Sequence, residues 1–324
     1  MRLPLAVALA ALSLPAALHS AEFQIAVIPK GTTHEYWKSI NAGAVKAQRE
    51  LKAAGTDVAV IWKGPLLEDD REQQIQVVEN FVGRGVSAMV LAPLDSTALV
   101  APVEDAVRAG IPVIVIDSAL KSVMPSSTVA TDNRKGGQIG ARRLGTLLGG
   151  KGRVLMLRYE AGSASTEERE AGFMDIMKAE FPGIELISTD QYGGATQETA
   201  FKAAQNLLNR FGARTDGIFA PNESTASGML LALREQGMAG KVRFVGFDAN
   251  EVLVKALRQG DVQGLVVQDP VKMGYLGVMT AVAVLRHEKV AASIDTGVGL
   301  VTAENMDDPA VSALIHPPLA EYLK

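Results

Sequence analysis

The chain has 324 residues, of which 48% are hydrophobic and 21% charged, with a formal net charge of −4. That length suits one large domain or two of ordinary size, and the mild acidity without a polybasic run leaves no footprint for nucleic acid or an anionic membrane. Cysteine is absent, which excludes disulfides, thiolate metal sites, a cysteine nucleophile and lipid attachment through an N-terminal cysteine.

The opening stretch "MRLPLAVALAALSLPAALHSA" reads as a signal peptide over residues 1–21, with Arg2 as its positive start, an apolar core from Leu3 to Leu18, and Ser20 and Ala21 as its small-residue end. The core is too short, and too interrupted by Pro4 and Pro15, for a membrane span. An exported chain without an anchor belongs in a periplasm or outside the cell. From Glu22 the pattern is strand, loop, amphipathic helix, repeated. "FQIAVI" precedes a helix from about Tyr36 to Ala54, "DVAVIW" one from Glu68 to Arg84, and "SAMVLA" one near Thr97 to Ala109; "PVIVI" completes this set. Short, continuous apolar runs of this kind are expected where helices cover both faces of a parallel sheet. A second set begins with "STVA" (127–130) and continues through "RVLML", "IELIS", "GIFA", "RFVGF" and "QGLVV", with helices such as Glu167 to Glu180 and Thr196 to Arg210 between them. A helix from Pro270 to His287 and the strand "GVGLV" close the chain. This order predicts an α/β protein of two doubly wound parallel-sheet lobes joined by a multi-strand hinge. The expected division is 22–125 plus 270–295 for the first lobe and 126–269 plus 296–324 for the second, with crossings near Ser118–Thr131, Gln268–Pro270 and Asp295–Gly297.

Ligands of open parallel sheets bind beyond the carboxyl ends of the strands. In the first lobe those ends carry Lys30, Trp62 and the pair Asp117-Ser118; in the second they carry Asn222, Asp248 and Gln268. Carboxylates accept from adjacent hydroxyls, and amide side chains both donate and accept, so the inventory suits a polyhydroxylated ligand. Such a ligand also needs a flat apolar partner, and the chain's two tryptophans, Trp37 and Trp62, both lie near strand ends. The competing structural reading of Asp117, Asp248 and Asn222 is that they cap the helices that follow.

The segments "IAVIPKGTTHEYWKSINAGA", "GVSAMVLAPLDSTAL", "GIPVIVIDS", "VATDNRKGGQIGA", "EEREAGF", "GIFAPNESTASGML" and "FVGFDANEV" follow in order along the chain from Ile25 to Val252. In this set the chain resembles the periplasmic sugar-binding proteins of ABC transporters, in the ribose-binding type, which share the type I periplasmic binding fold with lactose-repressor-type regulators. The resemblance implies that Tyr36 and Trp37 pack against a sugar ring while Asp117, Arg169, Asn222, Asp248 and Gln268 hydrogen-bond it. It also implies that the partner is a membrane permease. Ser118 stands where the ribose type has arginine, and His34 where it has asparagine. Lys30 is similar to the rhamnose and quorum-signal furanose binders, in which a lysine there contacts ligand.

The function expected is therefore the periplasmic solute-binding component of an ABC sugar transporter, acting as a monomer that closes on a monosaccharide. The alternative is a binder of a quorum-signal furanose or deoxysugar, or a sensor partner of a membrane receptor. A glycosidase would need two carboxylates for acid–base work and a means of activating water, and no third group for that is evident. A transcriptional regulator would need a helix-turn-helix headpiece ahead of the first strand. The four histidines, at 19, 34, 287 and 316, lack metal-ligand spacing. "KGGQIG" lacks the spacing of a dinucleotide fingerprint, so no metal and no cofactor are expected.

Overall fold

A computed structural model describes residues 21–323; the expected signal peptide at 1–21 lies almost wholly outside them. The first sheet has six strands, all parallel, in the order β11-β5-β4-β3-β1-β2. These are β1 (Phe23–Ile28), β2 (Val58–Trp62), β3 (Ala88–Leu91), β4 (Val113–Ile116), β5 (Ser127–Ala130) and β11 (Ser293–Asp295). The second sheet, β12-β10-β9-β8-β6-β7, comprises β6 (Gly152–Arg158), β7 (Ile184–Tyr192), β8 (Gly217–Phe219), β9 (Arg243–Phe247), β10 (Gly264–Gln268) and β12 (Val298–Val301), the last antiparallel to β10. Apart from its edge, each sheet follows one doubly wound order, with its first strand between its second and third, and so has its switch point beside that first strand.

Strict alternation divides each strand between two helix layers. Ile25 and Val27 of β1 join the core under α1 (Glu35–Ala53) and α9 (Pro270–Leu285), while Ala26 and Ile28 join the core under α2 (Arg71–Arg84) and α3 (Val100–Arg108). In the second lobe, Leu155 and Leu157 face α6 (Gln197–Phe211), α7 (Glu223–Glu235) and α8 (Glu251–Gln259); Val154 and Met156 face α4 (Asn133–Leu147) and α5 (Ala164–Glu180). All eight of these β1 and β6 side chains are fully buried, and burying a side chain the size of Val, Leu, Ile or Met contributes about 1.5–3 kcal/mol.

One boundary differs from the sequence reading. Ser127–Ala130, expected to open the second lobe, pairs with β4 and β11 in the first sheet. The 117–126 segment that joins it to β4 contains no crossover helix, so the alternation that marks a new lobe begins only afterwards. The chain crosses at Thr131–Asp132, at Asp269 and at Thr296–Gly297, and these passages are tied together. Thr131 Oγ1 lies 3.2 Å from Thr296 Oγ1 and donates to the Gly297 carbonyl at 3.3 Å, and the Thr296 amide donates to the Ala130 carbonyl at 3.0 Å. After β12 the chain forms α10 (Pro309–Ile315), whose Ile315 enters the second core, and then α11 (Leu319–Tyr322), where Arg49 of α1 donates to the carbonyls of Glu321 and Tyr322. The final segment thus returns to the first lobe.

Candidate ligand-binding site

The carboxyl ends of both sheets meet at a cavity lined by side chains of both lobes. Asp117 follows β4 and Asp248 follows β9, and both adopt left-handed backbone, with φ of 64° and 67°. Among the described residues only His287 shares that conformation outside glycine. It costs a non-glycine residue about 1–3 kcal/mol, least for Asp and Asn, and such residues cluster at ligand clamps. The amide of each aspartate still bonds the neighbouring strand, Asp117 N to Val129 O at 3.2 Å and Asp248 N to Val266 O at 2.8 Å. The turn therefore ends each strand by pushing a carboxylate out of the sheet and into the cavity.

Around Asp117 the charges are paired. Lys30 Nζ lies 2.9 Å from Asp117 Oδ2 and crosses the cleft to Ser163 Oγ at 3.3 Å and Ser165 Oγ at 3.1 Å. The Tyr36 hydroxyl donates to Asp117 Oδ1 at 2.8 Å. Around Asp248, Gln268 Nε2 donates to Oδ1 at 2.7 Å, the Glu223 amide donates to Oδ2 at 3.2 Å, and Arg169 Nη1 stands 3.7 Å from Oδ2. Arg169 is itself fixed by Asn133 Oδ1 at 2.8 Å, the Pro221 carbonyl at 2.9 Å and the Phe247 ring, whose centroid is 3.8 Å from Cζ. Burial pushes the Asp248 carboxyl upward, and the Asp117 charge adds to this against Arg169 and Gln268. Burial likewise raises Glu223.

Glu68 forms the opposite wall. Its carboxylate accepts from Trp37 Nε1 at 2.7 Å, from the Tyr159 hydroxyl of the second lobe at 2.7 Å, and from His34 Nδ1. Burial alone would lower the His34 pKa, but the hydrogen bond and charge of Glu68, with Glu223 and Asp248 nearby, raise it to about 9. Burial would raise Glu68; bonds from His34, Tyr159 and Trp37 outweigh it and hold its pKa low.

A second interlobe carboxylate has the opposite polarity. Helix α1 receives no side-chain cap from His34, its own N-cap residue. Instead Glu223, at the start of α7, accepts the Tyr36 amide at 3.2 Å with Oε2 and Asn250 Nδ2 at 3.2 Å with Oε1. The positive end of a helix favours an anion, so the first lobe's helix is capped in trans. Outside the cavity, Arg71 donates to the Ala161 carbonyl and the Ser96 amide to the Gly162 carbonyl. The lobes are closed on one another.

Of the residues expected from sequence, Lys30, Tyr36, Trp37, Asp117, Arg169, Asn222, Asp248 and Gln268 all line this cavity. Neither aspartate is the cap of the helix that follows: α4 is capped by Asp132 and α8 by Asn250. Asn222 does cap α7, through Thr225 N, while also lining the cavity. Trp62 does not line it. It shares parity with Val58 and Val60 on β2, and all three turn to the core beneath α1 and α9. Ser118 is buried behind the wall, its Oγ accepting from the Ser165 amide at 3.0 Å. His34, Glu68, Tyr159, Ser163, Ser165, Thr166 and Glu223 complete the lining and were absent from the expected set. Among the described residues no group of His, Cys, Asp and Glu is arranged to hold a metal ion, and no helix is long and apolar enough to cross a membrane.

Two like-folded lobes shut over a cavity lined by polar side chains of both define a ligand-clamping binding protein. Residues 25–289 match the periplasmic binding protein domain family, and the chain belongs to it. It is 32% identical to a D-ribose/D-allose-binding protein of Pseudomonas aeruginosa over 86% of this chain and 89% of that one. It also superposes with a TM-score of 0.86, at 37% identity, on a carbohydrate transporter solute-binding protein from Agrobacterium radiobacter in complex with D-arabinose, covering 92% of this chain and 100% of that one. A solute-binding protein from Agrobacterium vitis with bound D-fucose gives a TM-score of 0.85 at 34% identity, over 90% and 100% of the two chains.

Proposed function

We infer that this chain is the solute-binding component of an ABC sugar transporter, exported to the periplasm by residues 1–21, where it closes on one monosaccharide and presents it to a membrane permease. The observation that carries the reading is the pair of left-handed aspartates, one from each sheet, facing a single cavity between the lobes. Ligand hydroxyls donate to Asp117 and Asp248, while Lys30, Arg169, Asn222 and Gln268 supply further donors and acceptors. Tyr36 and Trp37, set edge to face with centroids 5.0 Å apart, offer the apolar surface for the C–H face of the ring. One chain provides both jaws, so the protein works as a monomer. Hinge motion at the three crossings opens it, and ligand binding favours the closed population. The reading is of a binder and not of a glycosidase, since both aspartates are engaged as anchored acceptors.

A thermal-shift screen of pentoses, hexoses, deoxysugars, polyols and furanose signals tests this. A ligand at about 100 times its Kd adds about 2.7 kcal/mol, enough for a clear rise in Tm. Asp117→Ala and Asp248→Ala should each weaken binding of that ligand by about 2 kcal/mol or more; undiminished affinity in both would refute the site, and steady release of product from aryl glycosides would refute the binding-only reading.

A further inference from the structure

Helices α1 and α5 hold equivalent places: each follows the first strand of its sheet, β1 or β6, and starts at the cleft. The first turn of any helix leaves backbone amides without intrahelical acceptors. In α2, α4, α6, α7, α8 and α9 the residue ahead of the helix accepts one of these amides with its own side chain. In α1 and α5 it does not. His34 turns its ring to Glu68, and the Ser163 hydroxyl accepts from Lys30 of the first lobe. The missing acceptor comes from the opposite lobe in both cases, and it meets the same amide, that of the second helical residue. Glu223 of the second lobe accepts from Tyr36 N at 3.2 Å, and Ser118 of the first lobe accepts from Ser165 N with its Oγ at 3.0 Å. Ser118 is held in place for this. It follows left-handed Asp117, its own amide donates to the Ile116 carbonyl at 2.6 Å, and it is buried without lining the ligand cavity.

We propose that Ser118 is a positioning residue for closure, the counterpart of Glu223: it caps α5 only when the lobes are shut, and so sets how long a ligand is held and not which ligand is chosen. A bond that exists only in the closed form is not yet made when ligand arrives and has to break before ligand leaves. Its loss therefore speeds release and leaves arrival unchanged. A lost helix cap is worth about fivefold in an equilibrium. Because Ser118 touches no ligand, that factor is common to every sugar. This inference rests on the reading of a clamp that closes on a sugar.

Ser118→Ala removes a single oxygen atom. Stopped-flow fluorescence of Trp37 in the wild type and this variant, with D-ribose, D-arabinose and D-fucose, provides the test. For each sugar bound, koff should rise about fivefold by one common factor while kon stays as in the wild type. A rise below about twofold, a loss carried by kon, or factors unequal enough to reorder the sugars overturns the proposal and leaves the sugar reading standing. A wild type that binds none of these sugars, nor any in the wider screen, overturns the sugar reading, and amide exchange of the unbound protein by NMR then decides the proposal. The Ser165 amide should exchange about threefold faster or more in Ser118→Ala, and equal exchange in the two proteins overturns the cap.

Discussion

Replacing Glu68 by glutamine keeps the shape of the side chain and removes its charge, which isolates what the carboxylate does to His34. The imidazole pKa is raised from 6.5 to about 9, and at 1.36 kcal/mol per pH unit this corresponds to roughly 3 kcal/mol of preference for imidazolium in the folded state. A folded value above the unfolded one contributes stability that is complete below pH 6.5 and lost as pH rises through about 9. Glu68 is shifted the other way: its contribution is present above its ordinary 4.5 and lost as pH falls through its lower folded value. Both describe one interaction, counted once, so wild-type stability from this pair should be flat between those ordinary values and decline toward alkaline pH. In Glu68→Gln the burial of His34 is no longer opposed by its nearest anion, and the imidazole should titrate well below 9. Imidazole NMR from pH 5 to 10, with the resonance assigned by its loss in His34→Asn, reads the titration directly; urea unfolding at pH 6 and 9.5 reads the stability. A wild-type His34 titrating near 6.5, or one that titrates at the same pH in Glu68→Gln, would show that the carboxylate does not govern it.

Glu223→Ala removes the trans cap of α1; at about 1 kcal/mol for a lost helix cap, ligand affinity should fall about fivefold and the unbound protein should expand in small-angle scattering, and an unchanged radius and affinity would count against the latch. Gly137→Ala would place a Cβ 1.8 Å from the Arg169 carbonyl oxygen, so it should cost about 1–3 kcal/mol of stability and displace Arg169 from Asp248; a change below about 0.5 kcal/mol in urea unfolding contradicts the packing argument. Asp117→Asn and Asp117→Val both leave the buried Lys30 ammonium without its carboxylate and should melt below the wild type; Asp117→Val loses a further 1–2 kcal/mol or so to the left-handed backbone, and equal melting of the two would remove strain from the account.

The architecture was legible because most central strands are short apolar runs such as β3 and β4, while the edge strand β11, with one apolar residue in three, gave no such signal. The site was legible where one rule applied: strand ends gave Lys30, Asp117, Asn222, Asp248 and Gln268, and the same rule taken to the end of β6 would have reached Tyr159. Arg169 came from resemblance alone, since it projects from helix α5 and not from a strand. Glu68 was read as the first residue of a helix; α2 begins at Arg71 behind its cap Asp70, which leaves the glutamate in the loop and free to face the cleft. Glu223 was hidden beside Asn222, whose capping role is obvious while its neighbour's bond to the other lobe is not. Trp62 failed on parity, which a strand-end rule ignores. The lobe assignment of β5 failed because sheet membership depends on the path of the chain after β4, which apolar content does not encode.

The two mirror-hand turns also bear on redesign of the cavity. Libraries randomised at 117 and 248 should be enriched in aspartate, asparagine and glycine, because most other side chains carry a cost of about 1–2 kcal/mol in that backbone before any guest is offered. New preferences have to be written at positions in relaxed conformation, such as Lys30, Ser163 and Ser165, with the two acidic anchors kept as fixed points.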